Sequence, residues 1–231
     1  AEQERIAEFL DAKCAEMEAL AREIKEQIAT LEEYKRSVIT EAVTKGLDAS
    51  VPMKDSGIEW IGEIPQAWDV LKTKYCFRYK KEIAGINSDK FDRLALTMQN
   101  VIKRAKDDSN GLQPEKFETY QILRRNELVF KLIDLQNVST SRVGLSPYDG
   151  IVSPAYIIIT PKSNILAKYA EKYYYTLWKN QIFNALGDDG VRSNLGKDDL
   201  LNIPIPVPPL AEQERIAEFL DAKCAEVDAL A

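Results

Sequence analysis

Apolar residues recur every seven positions through the first forty-five residues of the chain. From Glu2 to Lys45 there is no glycine or proline, and strong helix formers dominate, which favours one long α-helix. At about 1.5 Å per residue this helix would measure roughly 65 Å, too long to bury an apolar stripe on itself. The stripe is therefore predicted to be a coiled-coil seam that needs a partner helix. The seam residues are Leu10, Met17, Ile24, Ile28, Leu31 and Val38.

The start of this helix is repeated near the end of the chain. Residues 1–20 and 211–230 are identical at 18 of 20 positions, with an offset of 210 residues. The two differences are Met17 against Val227 and Glu18 against Asp228. An offset of this size corresponds to a whole domain plus a spacer, so we predict one complete unit followed by the beginning of the next. The short second copy also fits an artificially truncated chain.

Between the two helices, short apolar runs bounded by turn residues predict β-strands. The candidates are Trp68–Thr73, Leu94–Val101, Glu127–Ile133 and Gly150–Thr160, with the proline-rich run 204–209 as an edge strand or extended exit. A helix is predicted between Asn164 and Leu186, with Ile165, Tyr169, Tyr173 and Leu177 on one stripe. The fold class is therefore α+β, a mixed domain of small strands attached to a long coiled-coil-forming helix. The expected segments are 1–47 (spacer helix), 48–57 (linker), 58–209 (mixed domain) and 210–231 (start of a second, truncated spacer helix).

The composition of the 231 residues is that of a soluble globular protein, with 45% hydrophobic and 29% charged residues. No apolar run reaches the ~18–20 residues that span a bilayer, and the first residues do not resemble a signal peptide, so no membrane contact is expected. Three scattered cysteines favour a reducing, cytoplasmic location. Cys14 and Cys224 occupy equivalent positions on the seam and are predicted to be buried as small hydrophobic residues.

The absence of histidine excludes most nucleophilic and acid–base catalysis and the usual zinc sites. No phosphate-binding or dinucleotide-binding glycine motif is present. Ser153–Tyr156 only partly matches an amino-methyltransferase motif, because it lacks the second proline. The paired aspartates at 188–189 and 198–199 fit a turn and a helix start better than a metal site. We therefore predict no catalytic residues, no cofactor and no metal.

The net charge of −6 is unevenly distributed along the chain. Residues 1–50 carry −5 and residues 211–231 carry −4, whereas residues 71–180 have 19 basic and 11 acidic residues, a net charge of +8. A basic centre in an acidic chain is suited to a polyanionic partner. Arginine and asparagine can recognise bases, while lysine and serine bind phosphates. The candidate DNA contacts are Lys103, Arg104, Lys106, Ser141, Arg142, Arg192, Asn194 and Lys197, although each cluster alone also fits an ordinary solvated loop.

Four segments of the sequence resemble the DNA specificity subunits of type I restriction–modification systems. Residues 208–221 resemble the opening of the conserved spacer in that family, and residues 56–65 with Trp68 resemble the start of a target recognition domain. Residues 150–156 resemble a segment from the middle of that domain. Residues 192–195, followed by 203–206, resemble its exit. The resemblance covers nearly the whole chain.

This resemblance implies a non-catalytic subunit that binds double-stranded DNA, while methyltransferase (modification) and restriction subunits supply the catalysis. The family implies two recognition domains per subunit, each binding half of a bipartite site, separated by two antiparallel helices. This chain has a single such domain. If residues 211–231 paired with the first part of the long helix, the stretch from Ile24 to Val38 would stay exposed, so we expect a homodimer through the spacer helices. The alternative function is a coiled-coil scaffold whose globular head binds a protein partner.

Overall fold

A long helix at each end of the chain encloses a mixed domain in this computed structural model, which describes residues 2–106, 117–137, 139–140, 142–187 and 194–230. Helix α1 spans Glu2–Lys45, the bounds that the sequence predicts, and ends at Gly46, whose φ of +78° suits a helix C-cap. Helix α6 spans Leu210–Asp228. Within the described residues, no helix is long and apolar enough to cross a membrane.

The strands and shorter helices follow α1 in a mixed order. The strands are β1 (Met53–Asp55), β2 (Glu63–Pro65), β3 (Asp69–Lys72), β4 (Phe77–Tyr79), β5 (Arg93–Leu96), β6 (Val101–Arg104), β7 (Gln121–Leu123), β8 (Leu128–Lys131), β9 (Arg142–Leu145), β10 (Gly150–Val152), β11 (Ile157–Pro161) and β12 (Pro204–Val207). The helices between them are α2 (Thr73–Cys76), α3 (Ala167–Lys179), α4 (Ile182–Leu186) and α5 (Lys197–Asn202), with a 3-10 turn at Gly85–Lys90. The fold class is α+β, as predicted.

Two four-stranded sheets form the body of the domain. One has the order β6-β5-β10-β7, in which β10 and β5 are parallel, and the other has the order β4-β11-β8-β9 and is antiparallel throughout. Two smaller antiparallel pairs, β1 with β2 and β3 with β12, lie closer to the helices. The strand β1 forms inside the stretch 48–57 that the sequence assigns to a linker.

Several predicted strands were too long, and others were not predicted. The stretch Leu94–Val101 contains parts of two strands, β5 and β6, because Thr97 caps a turn between them through hydrogen bonds with Asn100. The stretch Gly150–Thr160 crosses from β10 in one sheet to β11 in the other through a turn at 153–156. The helix predicted to Leu186 breaks at Gln181, which has a left-handed φ of 57°. These breaks depend on side-chain and backbone conformations that hydrophobic periodicity does not encode.

The largest apolar core lies between α3 and the second sheet. The predicted stripe is confirmed, because Tyr169, Tyr173 and Leu177 of α3 and Ile165, just before it, are all buried. The Tyr169 hydroxyl lies between the backbone oxygens of Val43 (3.1 Å) and Pro206 (3.0 Å). This side chain therefore joins the end of α1 to β12 and fixes the helix against the domain.

Helix α6 does not pack on the first part of α1, which was the pairing considered from the sequence. It lies antiparallel to the last third of α1, with Lys35 against Asp228 at 2.6 Å and Glu212 near Gly46. The expectation that the stretch from Ile24 to Val38 would stay exposed was wrong for Leu31, which is half-buried, and for Val38, which packs against the core, whereas Ile24 is exposed. The reason is connectivity: α6 leaves the domain from β12, beside the point where α1 enters it. The exposed part of the seam is instead Leu10, Met17 and Ile24.

The two equivalent cysteines have different surroundings. Cys14 is exposed and Cys224 is half-buried against the core. The prediction that both are buried was therefore wrong for Cys14 within a single chain, because α6 does not reach that part of α1.

Candidate nucleic-acid interface

A basic cluster forms where β5 and β6 pair. The register places Arg93 directly opposite Arg104. The guanidinium of Arg93 and the ammonium of Lys106 both lie over the ring of Phe117, at 5.7 and 5.9 Å from its centroid. Lys106 also donates a hydrogen bond to the backbone oxygen of Ser88 at 2.9 Å. Contacts within the protein thus hold Arg93 and Lys106 in place.

Lys103 lies on the opposite face of β6 from Arg104. Alternation along the strand separates neighbouring side chains, and Lys103 pairs with Asp92 at 2.6 Å. Its ammonium also lies 5.3 Å from the centre of the Tyr148 ring. The hydrogen bond from Lys103 to the Asp92 carboxylate raises the pKa of Lys103. The predicted basic run 103–106 is therefore divided between two faces.

Arg142 starts the edge strand β9 and contacts the other sheet. Its guanidinium donates to the backbone oxygens of Leu96 (2.9 Å) and Ser139 (3.0 Å). Its third nitrogen, Nε, is buried without a hydrogen-bond partner among the described residues. Lys131 faces Arg142 across β8 and β9. Burial, followed by the charge of Arg142, lowers the pKa of Lys131.

Tyr156 connects the basic residues of the two sheets. Burial raises the pKa of Tyr156, while the positive charges of Arg142, Arg104 and Arg93 act in the opposite direction. The charges of all three arginines therefore act on the same hydroxyl group, which relates the basic residues of the two sheets to Tyr156. We define the basic face as Arg93, Arg104, Lys106, Lys131 and Arg142 around Tyr156.

The structure brings three of the predicted contacts together on the basic face. Arg104, Lys106 and Arg142 belong to it, whereas Lys103 does not. Arg93 and Lys131 were not singled out from the sequence. Each lies directly opposite a predicted cation on the neighbouring strand, so strand register is the signal that would have found them.

Asn194 and Lys197 are held beside different strands of the second sheet. The side-chain oxygen of Asn194 accepts a hydrogen bond from the backbone nitrogen of Asp134 at 3.0 Å, which places Asn194 just beyond Lys131. Lys197 lies over the ring of Tyr79 at 5.5 Å, on the edge strand β4. Asn194 therefore borders the basic face beyond the end of β8, and Lys197 lies beside β4, two strands away from β8. The remaining predicted contacts, Ser141 and Arg192, lie outside the described residues.

The described residues offer no site for a metal ion formed by three or more Asp, Glu or Cys side chains. Two carboxylates act on the lysines of the basic face: Asp89 approaches Lys106 at 3.7 Å, and Asp134 raises the pKa of Lys131 against the larger effect of burial. The chemistry of the face is that of cations and backbone-held guanidinium groups beside an aromatic ring. Arg93 is buried, so the more exposed cations of this face are the ones that can bind phosphates and base edges.

Comparison with known proteins matches most of the chain to one protein family. Residues 68–228 match the family described as type I restriction modification DNA specificity domain. The chain is 26% identical over 238 residues to the type I restriction enzyme MjaVIII specificity subunit of Methanocaldococcus jannaschii, and this match covers 95% of this chain and 52% of that protein. The chain thus spans about half the length of the curated relatives it matches.

Solved structures share the fold. A chain from a structure of complex assembly and conformational transition in the type I R-M system aligns with a TM-score of 0.64 and 16% identity, over 99% of this chain and 53% of that one. A type I restriction–modification S subunit from M. genitalium aligns with a TM-score of 0.53 and 14% identity, over 88% of this chain and 51% of that one. At these identities the likeness concerns the fold alone.

Proposed function

Because the chain belongs to the family of type I restriction–modification DNA specificity domains, we propose that it binds double-stranded DNA and recognises one half of a bipartite site. The observation that supports this proposal best is the basic face, which gathers five cations from four strands and their flanking residues within the net-basic part of an acidic chain. Its arginines and lysines suit contacts to guanine and to phosphates. Asn194, at the border of this face, is a further candidate for contacts to bases.

We assign the chain a recognition role without catalysis. The methyltransferase and restriction subunits of a type I system would supply the chemistry, and the exposed part of α1 offers them a surface on which to dock. The cytoplasm is the corresponding location. This assignment rests on the family and on the mainly acidic surface of α1, which is separate from the basic face.

A second copy of the chain would supply the other half of the recognition unit. The exposed seam residues Leu10, Met17 and Ile24 form an apolar strip of a kind that soluble monomers avoid. Twofold pairing through α1 would cover this strip and place identical domains at opposite ends of an antiparallel rod. Two identical domains bind an inverted repeat, so the target would be palindromic, with a gap set by the helices.

Selection from a random duplex library tests the proposal directly. The chain should enrich one sequence, bind it more tightly than a scrambled duplex, and lose affinity steeply as salt concentration rises. Equal binding of the selected and scrambled duplexes at every salt concentration would contradict sequence recognition.

Deleting one heptad tests the role of the rod. Removal of residues 18–24 shortens α1 by about 10 Å, which corresponds to roughly three base pairs. The selected half-sites should stay the same while the gap between them shrinks. An unchanged gap would show that α1 does not set the spacing.

A further inference from the structure

Helix α6 lies in a groove between the last third of α1 and α3. The sequence that fills this groove occurs twice in the chain. Gln213 is fully buried there and makes three hydrogen bonds to backbone groups. Its side-chain oxygen accepts from the nitrogen of Leu166 at 2.8 Å, and its side-chain nitrogen donates to the oxygens of Asn164 (3.1 Å) and Pro208 (2.8 Å). Ile216 and Leu220 enter the main core below it. The groove therefore recognises particular side chains at particular helix positions.

The first copy of the repeat carries nearly the same apolar side chains, and in the described chain they are exposed. Ile6, Leu10 and Met17 are 53%, 54% and 70% exposed. Their counterparts in α6 are 0%, 0% and 5% exposed, and they are Ile216, Leu220 and Val227. The difference arises only from position, because the sequences are nearly identical.

The charges of the groove also match both copies. Lys35 pairs with Asp228 at 2.6 Å, and Lys172 pairs with Asp221 at 3.3 Å. The first copy has Glu18 and Asp11 at the corresponding positions. Each of the two differences between the copies keeps the chemistry of its contact: methionine replaces buried valine, and glutamate replaces the aspartate that faces Lys35.

We propose that residues 2–18 of a second copy bind in this groove in place of α6, which gives an exchanged dimer. The inference rests on the second copy named in the proposed function and specifies how that copy binds. In the single chain α6 occupies its own groove, and we call this the closed form. There Asp228 lies against Lys35 and Glu212 lies near Gly46. With the offset of 210 residues, Glu18 of the second copy would lie against Lys35 and its Glu2 near Gly46.

This register makes the two α1 helices an antiparallel pair. Residues 18 and 35 face each other, as do residues 2 and 46, so the twofold axis crosses α1 near residue 25. Leu10 and Met17 of each helix enter the groove of the other copy, and Ile24 lies beside its own counterpart at the axis. The whole exposed seam is then covered, which the closed monomer does not achieve.

The closed and exchanged forms compete. Helix α6 is tethered to its groove and has the advantage of a high effective concentration. The second copy brings a longer apolar surface and contributes Ile24 in addition. The closed monomer should therefore dominate in dilute solution, and the exchanged dimer should appear as protein concentration rises.

Engineered disulfides distinguish the two forms in the full chain. In a background of Cys14→Ala and Cys224→Ala, the pair Lys35→Cys with Glu18→Cys is separated by about 25 Å along one helix, so it cannot close within a chain. Oxidation should give covalent dimers whose yield rises with protein concentration. The pair Lys35→Cys with Asp228→Cys should close within one chain. The control pair, Lys35→Cys with Glu8→Cys, places one thiol on the face pointing away from the groove and should give little product.

Substitutions on either copy of the repeat give an independent measurement. Ile216→Asp with Leu220→Asp disables α6 and should increase the dimer fraction in sedimentation. Ile6→Asp with Leu10→Asp disables the exchanged segment and should give closed monomers at all concentrations. If the 35–18 disulfide fails to form at any concentration, or if the Ile6→Asp, Leu10→Asp variant still forms a dimer, the exchange is wrong. Binding of the unmodified chain to a duplex with one half-site is measured separately. If this binding is sequence-specific, only the exchange has failed; if it is not, the proposed function has failed.

Discussion

The guanidinium of Arg142 donates a hydrogen bond from Nη1 to the backbone oxygen of Leu96 at 2.9 Å. This bond joins β9, at the edge of one four-stranded sheet, to β5 in the other. Nη2 of the same group donates to the oxygen of Ser139 at 3.0 Å. Arg142 therefore holds the two sheets together at the basic face, in addition to being a candidate DNA contact.

Replacing Arg142 by alanine should lower both stability and DNA affinity. Loss of its hydrogen bonds should cost about 1–3 kcal/mol of unfolding free energy. If Arg142 also contacts a base, binding should weaken by a further ~1–3 kcal/mol, and specificity should relax at one position. Urea unfolding and competition binding measure the two effects separately.

Two variants help to interpret that result. Arg142→Lys keeps the charge and removes the paired hydrogen bonds, so it should retain more non-specific than specific binding. Arg192→Ala, at a residue outside the described part, should relax specificity in the same way. Wild-type affinity and specificity in both alanine variants would exclude these arginines as base contacts.

Replacing Lys103 or Lys106 by alanine should weaken binding to all sequences alike. Removing one lysine–phosphate interaction should reduce the slope of log affinity against log salt by about 1. The effect of Lys103→Ala should be the smaller, because its ammonium is paired with Asp92 on the opposite face of β6. Lys13→Ala, on the distant part of α1, is the control. Parental affinity and slope in both variants would place the DNA surface elsewhere.

Gln213→Ala should strongly destabilise the domain. The substitution leaves three buried or partly buried backbone groups without their partner, each at a cost of about 1–3 kcal/mol. The matched control is Gln3→Ala, the same position of the repeat on the exposed segment, which should change the unfolding free energy by under ~0.5 kcal/mol in dilute solution. Equal effects of the two substitutions would show that burial of Gln213 contributes nothing.

The carboxylate of Glu82 predicts a pH-dependent contribution to stability. Hydrogen bonds from Lys80 and Arg124 hold its pKa below the ordinary value of 4.5. A lowered folded-state pKa means that the ion pairs stabilise the fold above about pH 4.5 and that this contribution is lost as the pH falls through the folded-state pKa.

Glu82→Gln should therefore be less stable than the parent at pH 7 and match it in acid. Because the carboxylate is only half-buried and is screened by solvent, the difference at pH 7 should be under about 1 kcal/mol. Chemical unfolding of both proteins at pH 7 and pH 3 measures it. Glu59→Gln, in an exposed turn, is the control. A difference that persists unchanged at pH 3 would contradict the role of the Glu82 charge.

Features that depend on local periodicity could be predicted from the sequence. Glycine-free and proline-free composition fixes the bounds of α1, and a 3.6-residue stripe identifies the buried face of α3. The same is true of the α+β class and of the family resemblance, because both follow from segments that are contiguous in sequence. The basic centre also follows from charge counted along the chain.

Features that depend on pairing between distant segments were decided only by the tertiary structure. Strand register sets Arg93 opposite Arg104 and Lys131 opposite Arg142, and it turns Lys103 to the other face. A shift of one residue would reverse these assignments, and nothing local to a short strand specifies the shift. The same limit applies to the repeat. The sequence shows two nearly identical helices, but only the connection through β12 determines which of them is buried in its own chain.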